Sequence, residues 1–249
     1  MTTGDVILRT RGLSLSFGGV VAADAIDFDL REGERLAVVG QNGAGKTTFI
    51  NICTGYLKPM AGTVWFAGHD ITGRSPRHIT RLGVGRSFQL PQIFTEHSVR
   101  ECLLIAASAT GRRGHPLTAL ENAVDAVDVD ETLRLIGLAS RADDPSRLLP
   151  EGQRKLLDVA MALVLRPRLL IMDEPTSGVS SDEKDGLMST LMAALTERRV
   201  TSIFVEHDID IVRRHASRLA AWIGGKVAAD GPPEQVLRDP EVVRNVLGE

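Results

Sequence analysis

The sequence is poor in cysteine and has neither a long apolar run nor an excess of positive charge. Its two cysteines, Cys53 and Cys102, are far apart and lack CxxC spacing, so we expect buried free thiols and no disulfide framework. The most apolar stretch, 156–165, is interrupted by Asp158 and is shorter than the roughly 18 residues that a membrane span needs. The opening residues lack the apolar core of a secretory signal. A formal net charge of -3 argues against a nucleic-acid partner.

Lysine is also rare, since only five of the 29 lysine and arginine residues are lysine. We attribute the arginine-rich usage to a GC-rich genome. A lysine inside a glycine-rich segment, Lys46, is therefore more informative here than it would be in a lysine-rich protein.

The order of apolar patterns predicts an α/β protein. Short β-type runs at 6–10, 13–17 and 26–30 are separated by Gly- and Asp-containing turns, which predicts a small antiparallel sheet. The apolar strand RLAVVG at 35–40 ends in glycine and is followed by residues with helical spacing. A second strand pair is expected at 62–71.

The pattern then changes to helices and changes back. Helical segments are expected between 90 and 165, including one at 119–138, with a polar, basic loop at 110–116. After them, fully apolar strands alternate with helices, which is typical of a parallel sheet covered on both faces. The 249 residues therefore predict one domain: an α/β core at 1–89 and 166–249, with a helical subdomain inserted at 90–165.

The strongest motif lies between the strand at 35–40 and the helix that follows it. The segment fits G-x-x-x-x-G-K-[ST], in the strand, loop and helix context that a phosphate-binding loop requires. Its backbone N–H groups and the helix N-terminus favour a phosphate chain, Lys46 should reach the β- and γ-phosphates, and the Thr47 hydroxyl should bind Mg²⁺. The predicted phosphate-binding residues are Gly40, Gln41, Asn42, Gly43, Ala44, Gly45, Lys46, Thr47 and Thr48.

A second motif, LLIMDEP at 169–175, is an apolar strand that ends in two carboxylates. Alone it would be interpreted as an acidic pair that caps a helix. Together with the phosphate loop, it predicts Asp173 as a Mg²⁺ ligand and Glu174 as the group that polarises the attacking water.

With these motifs the whole chain resembles the ATPase subunits of ABC transporters, a family with a P-loop NTPase core. The resemblance implies that Phe17 stacks on adenine, that Gln89 contacts Mg²⁺ and the water, and that His207 touches the γ-phosphate. Taken alone, Phe17 could equally be strand core, a single glutamine such as Gln89 would carry no functional information, and His207 would be a surface or capped residue.

The signature motif of that family, usually LSGGQ, appears here as LPEGQ at 149–153. The resemblance implies that Gly152 and Gln153 face the ATP bound by a second subunit, because two subunits of the family sandwich two ATP molecules. Pro150 removes the usual serine hydroxyl while suiting the first turn of a helix. Ser180 stands where the family commonly has an aspartate, so this chain lacks the carboxylate that makes the corresponding contact across the dimer.

Three segments, at 83–94, 149–163 and the C-terminal end, are similar to ATPases of branched-chain amino-acid importers of the LivG type. Urea and amide importers share the ending, and lipopolysaccharide-export ATPases are the nearest exporter alternative. The resemblance implies a bacterial protein on the cytoplasmic face of the membrane, held there by two permease subunits. It also implies a second ATPase subunit, which forms either a heterodimer or a homodimer with this chain, and an extracytoplasmic solute-binding protein in the complex. A regulatory module that binds nucleotide with little turnover is the competing function.

Overall fold

The computed structural model describes residues 4–108 and 126–248, excluding the side chains of residues 126, 127 and 247. The strands are β1 Val6–Phe17, β2 Val20–Arg31, β3 Arg35–Gly40, β4 Ala61–Phe66, β5 His69–Asp70, β6 Val84–Ser87, β7 Leu169–Asp173, β8 Thr201–Val205, β9 Arg218–Ile223 and β10 Lys226–Gly231. The α-helices are α1 Lys46–Cys53, α2 Pro76–Leu82, α3 Val99–Ser108, α4 Ala126–Leu135, α5 Glu151–Leu163, α6 Ser181–Glu197, α7 Ile209–His215, α8 Pro233–Val236 and α9 Pro240–Val242. Short 3₁₀ turns lie at Ala139–Arg141 and Ser146–Leu148, and a π-helical turn lies at Val243–Leu247.

The described residues form two compact units. The first contains the residues up to Val84 and those from Thr201 onward, and the second is Gly85–Val200. The second unit is larger than the predicted helical subdomain at 90–165 because it also includes β7 and α6. The division predicted from the sequence stays a prediction.

The first unit contains an antiparallel sheet in the order β2-β1-β4-β5. The sequence predicted two strands at 6–10 and 13–17, whereas β1 runs through both without a break. The register shifts between Thr10 and Leu13, where Gly12 adopts a positive φ of 57° and its N–H donates to Asp27 Oδ1 at 2.6 Å. The glycine that the sequence pattern predicted to form a turn therefore lies in a β-bulge within β1.

The α/β part of the same unit has the strand order β10-β9-β3-β8. The central strand β3 is parallel to β8 and β9, and β10 pairs antiparallel with β9. The rings of Phe28, Phe49 and Trp222 pack against one another with centroids 5.1 to 5.9 Å apart, and all three are buried. Because Phe49 lies on α1, this cluster fixes the helix that follows the glycine-rich loop against the sheet.

The second unit is mainly helical around α5, which packs against α3, α4 and α6. Strand β7 lies beside β6, and all five β7 residues are buried. The predicted loop at 110–116 and the first part of the helix predicted at 119–138 lie outside the described residues. Within the described ranges, every helix falls short of the length and apolarity that a bilayer span requires. The predicted α/β fold with a mainly parallel sheet and an antiparallel β-sheet region is confirmed.

Candidate functional site

The glycine-rich loop occupies the turn between β3 and α1 in the first unit. Gly45, the residue before the helix, has φ 102° and ψ 0°. A Cβ at this position would lie 2.2 Å from the carbonyl oxygen of Ala22, which is closer than side-chain carbons approach. Glycine is therefore required here both by the backbone conformation and by the close approach of a neighbouring strand.

Lys46 is the first residue of α1, and only 6% of it is exposed. Its Nζ donates to the carbonyl oxygens of Gly40 at 2.6 Å and Gln41 at 2.9 Å, so the ammonium lies across the loop. The first turn of α1 contains no acidic residue, and Thr47 is exposed there. A buried ammonium, the N–H groups at the start of the helix and an accessible hydroxyl form a donor set that suits a phosphate chain with a hard cation.

A cavity of about 300 Å³ lies beside this loop within the first unit. It is lined by Val39, Gly40, Gln41, Asn42, Glu206, His207, Ile209 and Val246. His207 is exposed, and its backbone N–H donates to Oε2 of the buried Glu206 at 3.3 Å. Asp208 caps α7 by accepting from the N–H groups of Asp210 and Ile211, which fixes the direction in which the chain leaves His207. The structure thus brings predicted loop residues and His207 to one cavity, and it adds Glu206, which sequence reasoning missed.

Phe17 is the last residue of β1 and pairs with Val20 across the hairpin. It is 49% exposed, so its interpretation as strand core is wrong for this residue. An exposed aromatic ring at a strand end is available for stacking.

The second unit carries the predicted carboxylates at the end of β7. Asp173 is 8% exposed, and its Oδ2 lies 3.6 Å from Nη2 of Arg86. The Arg86 guanidinium also lies over the ring of Phe88, 4.9 Å from the centroid. Sequence reasoning missed Arg86, although its place three residues before Gln89 was a signal that could have pointed to it.

Glu174 adopts a positive φ of 52°, which is uncommon for a residue with a side chain. The strain of this left-handed conformation is about 1–2 kcal/mol. The Gln89 Nε2 donates to Glu174 Oε2 at 2.7 Å, so two residues that are 85 positions apart meet through their side chains. Four other described residues with side chains have a similar φ, so the candidate role of Glu174 rests on its contact with Gln89.

The LPEGQ segment begins α5, with Pro150 at the N-cap and Glu151 as the first helical residue. Proline therefore precedes the first turn, in which it was expected, and it provides no side-chain cap for the helix. The Gln153 Oε1 accepts from Nη1 of Arg141 at 2.8 Å, and Glu151 pairs with Arg154 at 2.7 Å. Two of the signature side chains are thus already engaged within the unit.

Ser180 is the N-cap residue of α6, and its hydroxyl donates to Glu183 Oε2 at 2.8 Å. This contact is local to one helix turn. Within the second unit, Ser180 therefore lies at the start of α6 as its N-cap residue.

Two further charged residues that sequence reasoning missed, Lys155 and Asp158, lie on α5. Both are nearly buried, at 3% and 6% exposure. Burial raises the pKa of the Asp158 carboxyl, while hydrogen bonds from the N–H groups of Phe88 and Gln92 act in the opposite direction. One signal was available, because Asp158 interrupts the most apolar stretch of the sequence.

Comparisons with known proteins agree with this geometry. The family described as ABC transporter matches residues 23–177. A probable branched-chain amino acid transport ATP-binding protein LivG of Archaeoglobus fulgidus is 37% identical, over 97% of this chain and 95% of that protein. The high-affinity branched-chain amino acid transport ATP-binding protein LivG of Salmonella typhimurium is 32% identical, over 98% of each. An ATP-binding cassette of an ABC transporter, solved in its ADP conformation, superposes with a TM-score of 0.84 at 32% identity, over 98% of this chain and all of that one.

Proposed function

Because this chain belongs to the ABC transporter family, we propose that it is the ATP-hydrolysing subunit of an importer for branched-chain amino acids or a related small amide or amino-acid solute. The observation that carries the hydrolytic part is the contact between Gln89 and Glu174 at the end of a buried strand. The relatives that carry the importer part match nearly the whole chain.

In the first unit, the residues of the glycine-rich loop bind the phosphates of ATP. The backbone N–H groups from Gly40 to Thr48 donate to phosphate oxygens, and the Lys46 ammonium supplies a positive charge. The exposed ring of Phe17 stacks on the adenine. His207 contacts the γ-phosphate from the end of β8.

Three residues suit Mg²⁺ by their chemistry: the Thr47 hydroxyl, the Gln89 amide oxygen and the Asp173 carboxylate. Oxygen ligands of this kind are those that a small hard cation prefers. When bound, Mg²⁺ neutralises charge on the phosphate oxygens. Arg86, whose Nη2 lies 3.6 Å from Asp173 Oδ2, pairs with this carboxylate in the second unit and restricts its orientation.

Glu174 orients and polarises the attacking water as a general base. Gln89, hydrogen-bonded to Glu174, limits the directions in which that carboxylate can point. Phosphoryl transfer needs positioning and charge stabilisation more than covalent chemistry, so holding this group still is the protein's main contribution.

The complete transporter includes a second ATPase subunit, two membrane permease subunits and an extracytoplasmic solute-binding protein. In that arrangement Gly152 and Gln153 contact the ATP of the second ATPase subunit, and the chain is held at the cytoplasmic face of the membrane by the permeases. Binding of ATP closes the pair of ATPase subunits, and hydrolysis lets them part.

A regulatory module with little turnover is the second candidate, and one observation favours it. Glu151, Gln153 and Ser180, which lie in motifs expected to reach a second subunit, all make contacts within their own unit. A hydrolysis measurement separates the two candidates.

The test replaces Glu174 by Gln, which keeps the shape and removes the base. We expect phosphate release at high protein concentration to fall by about 10²-fold or more, the usual range for loss of a general base, while ATP-dependent dimers accumulate in size-exclusion chromatography. Glu197→Gln, at an exposed glutamate in the same unit, is the matched control and should leave turnover unchanged.

Near-normal turnover of Glu174→Gln would exclude the assigned role of this carboxylate. Absence of turnover in the unaltered protein, both alone and with its permeases, would favour the regulatory module.

A further inference from the structure

The helix that begins with the LPEGQ segment carries two buried charges of opposite sign one turn apart, Lys155 and Asp158. Their spacing of three places both on one face of α5. Burying a charge costs free energy unless the charge is paired and hydrogen-bonded. The contacts of these two side chains therefore indicate their function.

Lys155 connects two loops that are far apart in sequence. Its Nζ donates to the carbonyl oxygen of Gln89 at 2.9 Å and to the carbonyl oxygen of Glu174 at 3.1 Å. These are the backbone oxygens of the two residues whose side chains are joined at 2.7 Å. One ammonium therefore fixes the main chain on both sides of the side-chain contact.

Asp158 holds the same loop at two further points. Its Oδ2 accepts from the N–H of Phe88 at 3.0 Å, and its Oδ1 accepts from the N–H of Gln92 at 2.9 Å. The two bonds bracket Gln89, so the segment 88–92 is tied to α5 through both of its ends and through Gln89 itself.

We propose that Lys155 and Asp158 form a charged clamp on α5 that positions Gln89 and Glu174 for hydrolysis and makes their geometry depend on the position of the signature helix. This inference rests on the proposed function. Neither residue is assigned to substrate or metal, so both are positioning residues. A shift of α5 moves three anchors of the Gln89 loop and one anchor of Glu174 together, which couples the signature segment to the hydrolytic carboxylate.

The central variant is Lys155→Met, which keeps the length of the side chain and removes the donor. We expect kcat to fall by about tenfold or more, because a misplacement of about 1 Å costs up to 10²-fold, while the KM for ATP stays within about twofold. Lys155→Arg retains donors and should recover part of the loss. Lys226→Met, which removes an exposed lysine paired with Asp24 in the first unit, is the control.

A double-mutant cycle with Gln89→Ala distinguishes positioning from a general structural role. Because Lys155 also anchors the main chain of Glu174, Lys155→Met should still lower kcat in the Gln89→Ala background, but by a clearly smaller factor than in the unaltered protein, since coupled residues are not additive. A loss that is equally large in both backgrounds would overturn the clamp. A loss confined to KM would do the same.

Hydrogen exchange gives a readout that is independent of turnover. Asp158→Asn replaces one acceptor oxygen by an amide NH₂, so the N–H of Phe88 or Gln92 should exchange at least about tenfold faster, while the buried part of α5 remains protected. If Lys155→Met alone fails to fold, the double variant Lys155→Met/Asp158→Asn removes both buried charges and is measured instead. Unchanged exchange at 88–92 in that variant would overturn the clamp.

These outcomes separate the clamp from the function on which it rests. If the unaltered protein does not hydrolyse ATP, the proposed function fails, and exchange at Phe88 and Gln92 still tests the anchors. If the unaltered protein turns over normally and Lys155→Met does too, the clamp alone fails.

Discussion

The two regions that carry the candidate chemistry are built in different ways. In the first unit, the glycine-rich loop is shaped by backbone: a strand end, a glycine in the left-handed region and a helix start fix the direction of its N–H groups. In the second unit, Gln89, Asp173 and Glu174 are held by side chains, namely Arg86, Lys155 and Asp158.

This difference predicts which substitutions each region tolerates. The conformation of the glycine-rich loop depends on the few positions where a Cβ cannot fit. One methyl group added at such a position disrupts it. A segment held by side chains distributes its support over several charges, so a single replacement weakens it in proportion to how deeply that charge is buried.

The largest effect should come from breaking the backbone-built region with Gly45→Ala. The new Cβ would meet the Ala22 carbonyl oxygen at 2.2 Å, so the start of α1 must move. Since a misplacement of about 1 Å can cost on the order of 10²-fold, we expect affinity for a fluorescent ATP analogue to fall by that factor.

Gly33→Ala is the matched control for this change. Gly33 also has a positive φ, of 78°, but a Cβ there meets no heavy atom within 4 Å. It should cost about 1–2 kcal/mol of stability and leave nucleotide affinity unchanged. Equal affinities of Gly45→Ala and the unaltered protein would contradict the backbone account.

A loss of stability, rather than of nucleotide affinity, is expected when an ion pair of the second region is broken by Arg86→Met. Arg86 and Asp173 are each about 10% exposed at the side chain, so the replacement leaves a carboxylate largely buried without this partner. Removing one member of such a pair costs about 3–5 kcal/mol, which urea unfolding measures.

The exposed pair of Arg154 and Glu151 provides the comparison for Arg86→Met. Its charges are closer, at 2.7 Å, but their side chains are 40% and 38% exposed. Arg154→Met should therefore cost at most about 1 kcal/mol. If Arg86→Met and Arg154→Met lost equal stability, burial would not determine how much each ion pair contributes to stability.

The smallest effect is expected from restoring a hydroxyl at the signature with Pro150→Ser. One neutral hydrogen bond is worth about 0.5–1.5 kcal/mol, so each of the two signatures in a dimer should strengthen ATP-dependent dimerisation in the Glu174→Gln background by about two- to tenfold. Sedimentation at several protein concentrations measures this change. Pro150→Ala, which lacks the hydroxyl, should show no gain, and an equal gain in both variants would refute a hydroxyl contact.

Much of the fold could be predicted from local patterns. The strand at 35–40 has the predicted bounds, and the apolar runs at 169–173 and 201–205 are buried strands. The prediction was wrong where glycine was taken as a turn, because Gly12 forms a bulge within β1. A bulge and a turn use the same residue type, and only pairing with β2 decides between them.

Some residues of the candidate site could be predicted from the sequence, and others could not. Lys46, Asp173 and Glu174 stand in motifs of fixed spacing, and their assigned roles stay predictions. The supports Arg86, Lys155 and Asp158 were missed because no local pattern relates 86 to 173, or 155 and 158 to the segment 88–92.

What the sequence by itself determined is the glycine-rich loop with its strand and helix, since that motif needs only neighbouring residues and the conformations that glycine permits. Tertiary structure alone decided that a lysine and an aspartate on one face of α5 hold Gln89 and Glu174 in place. The physical reason is that a buried charge takes its role from partners brought to it by folding, and those partners lie as many as 70 positions away along the chain.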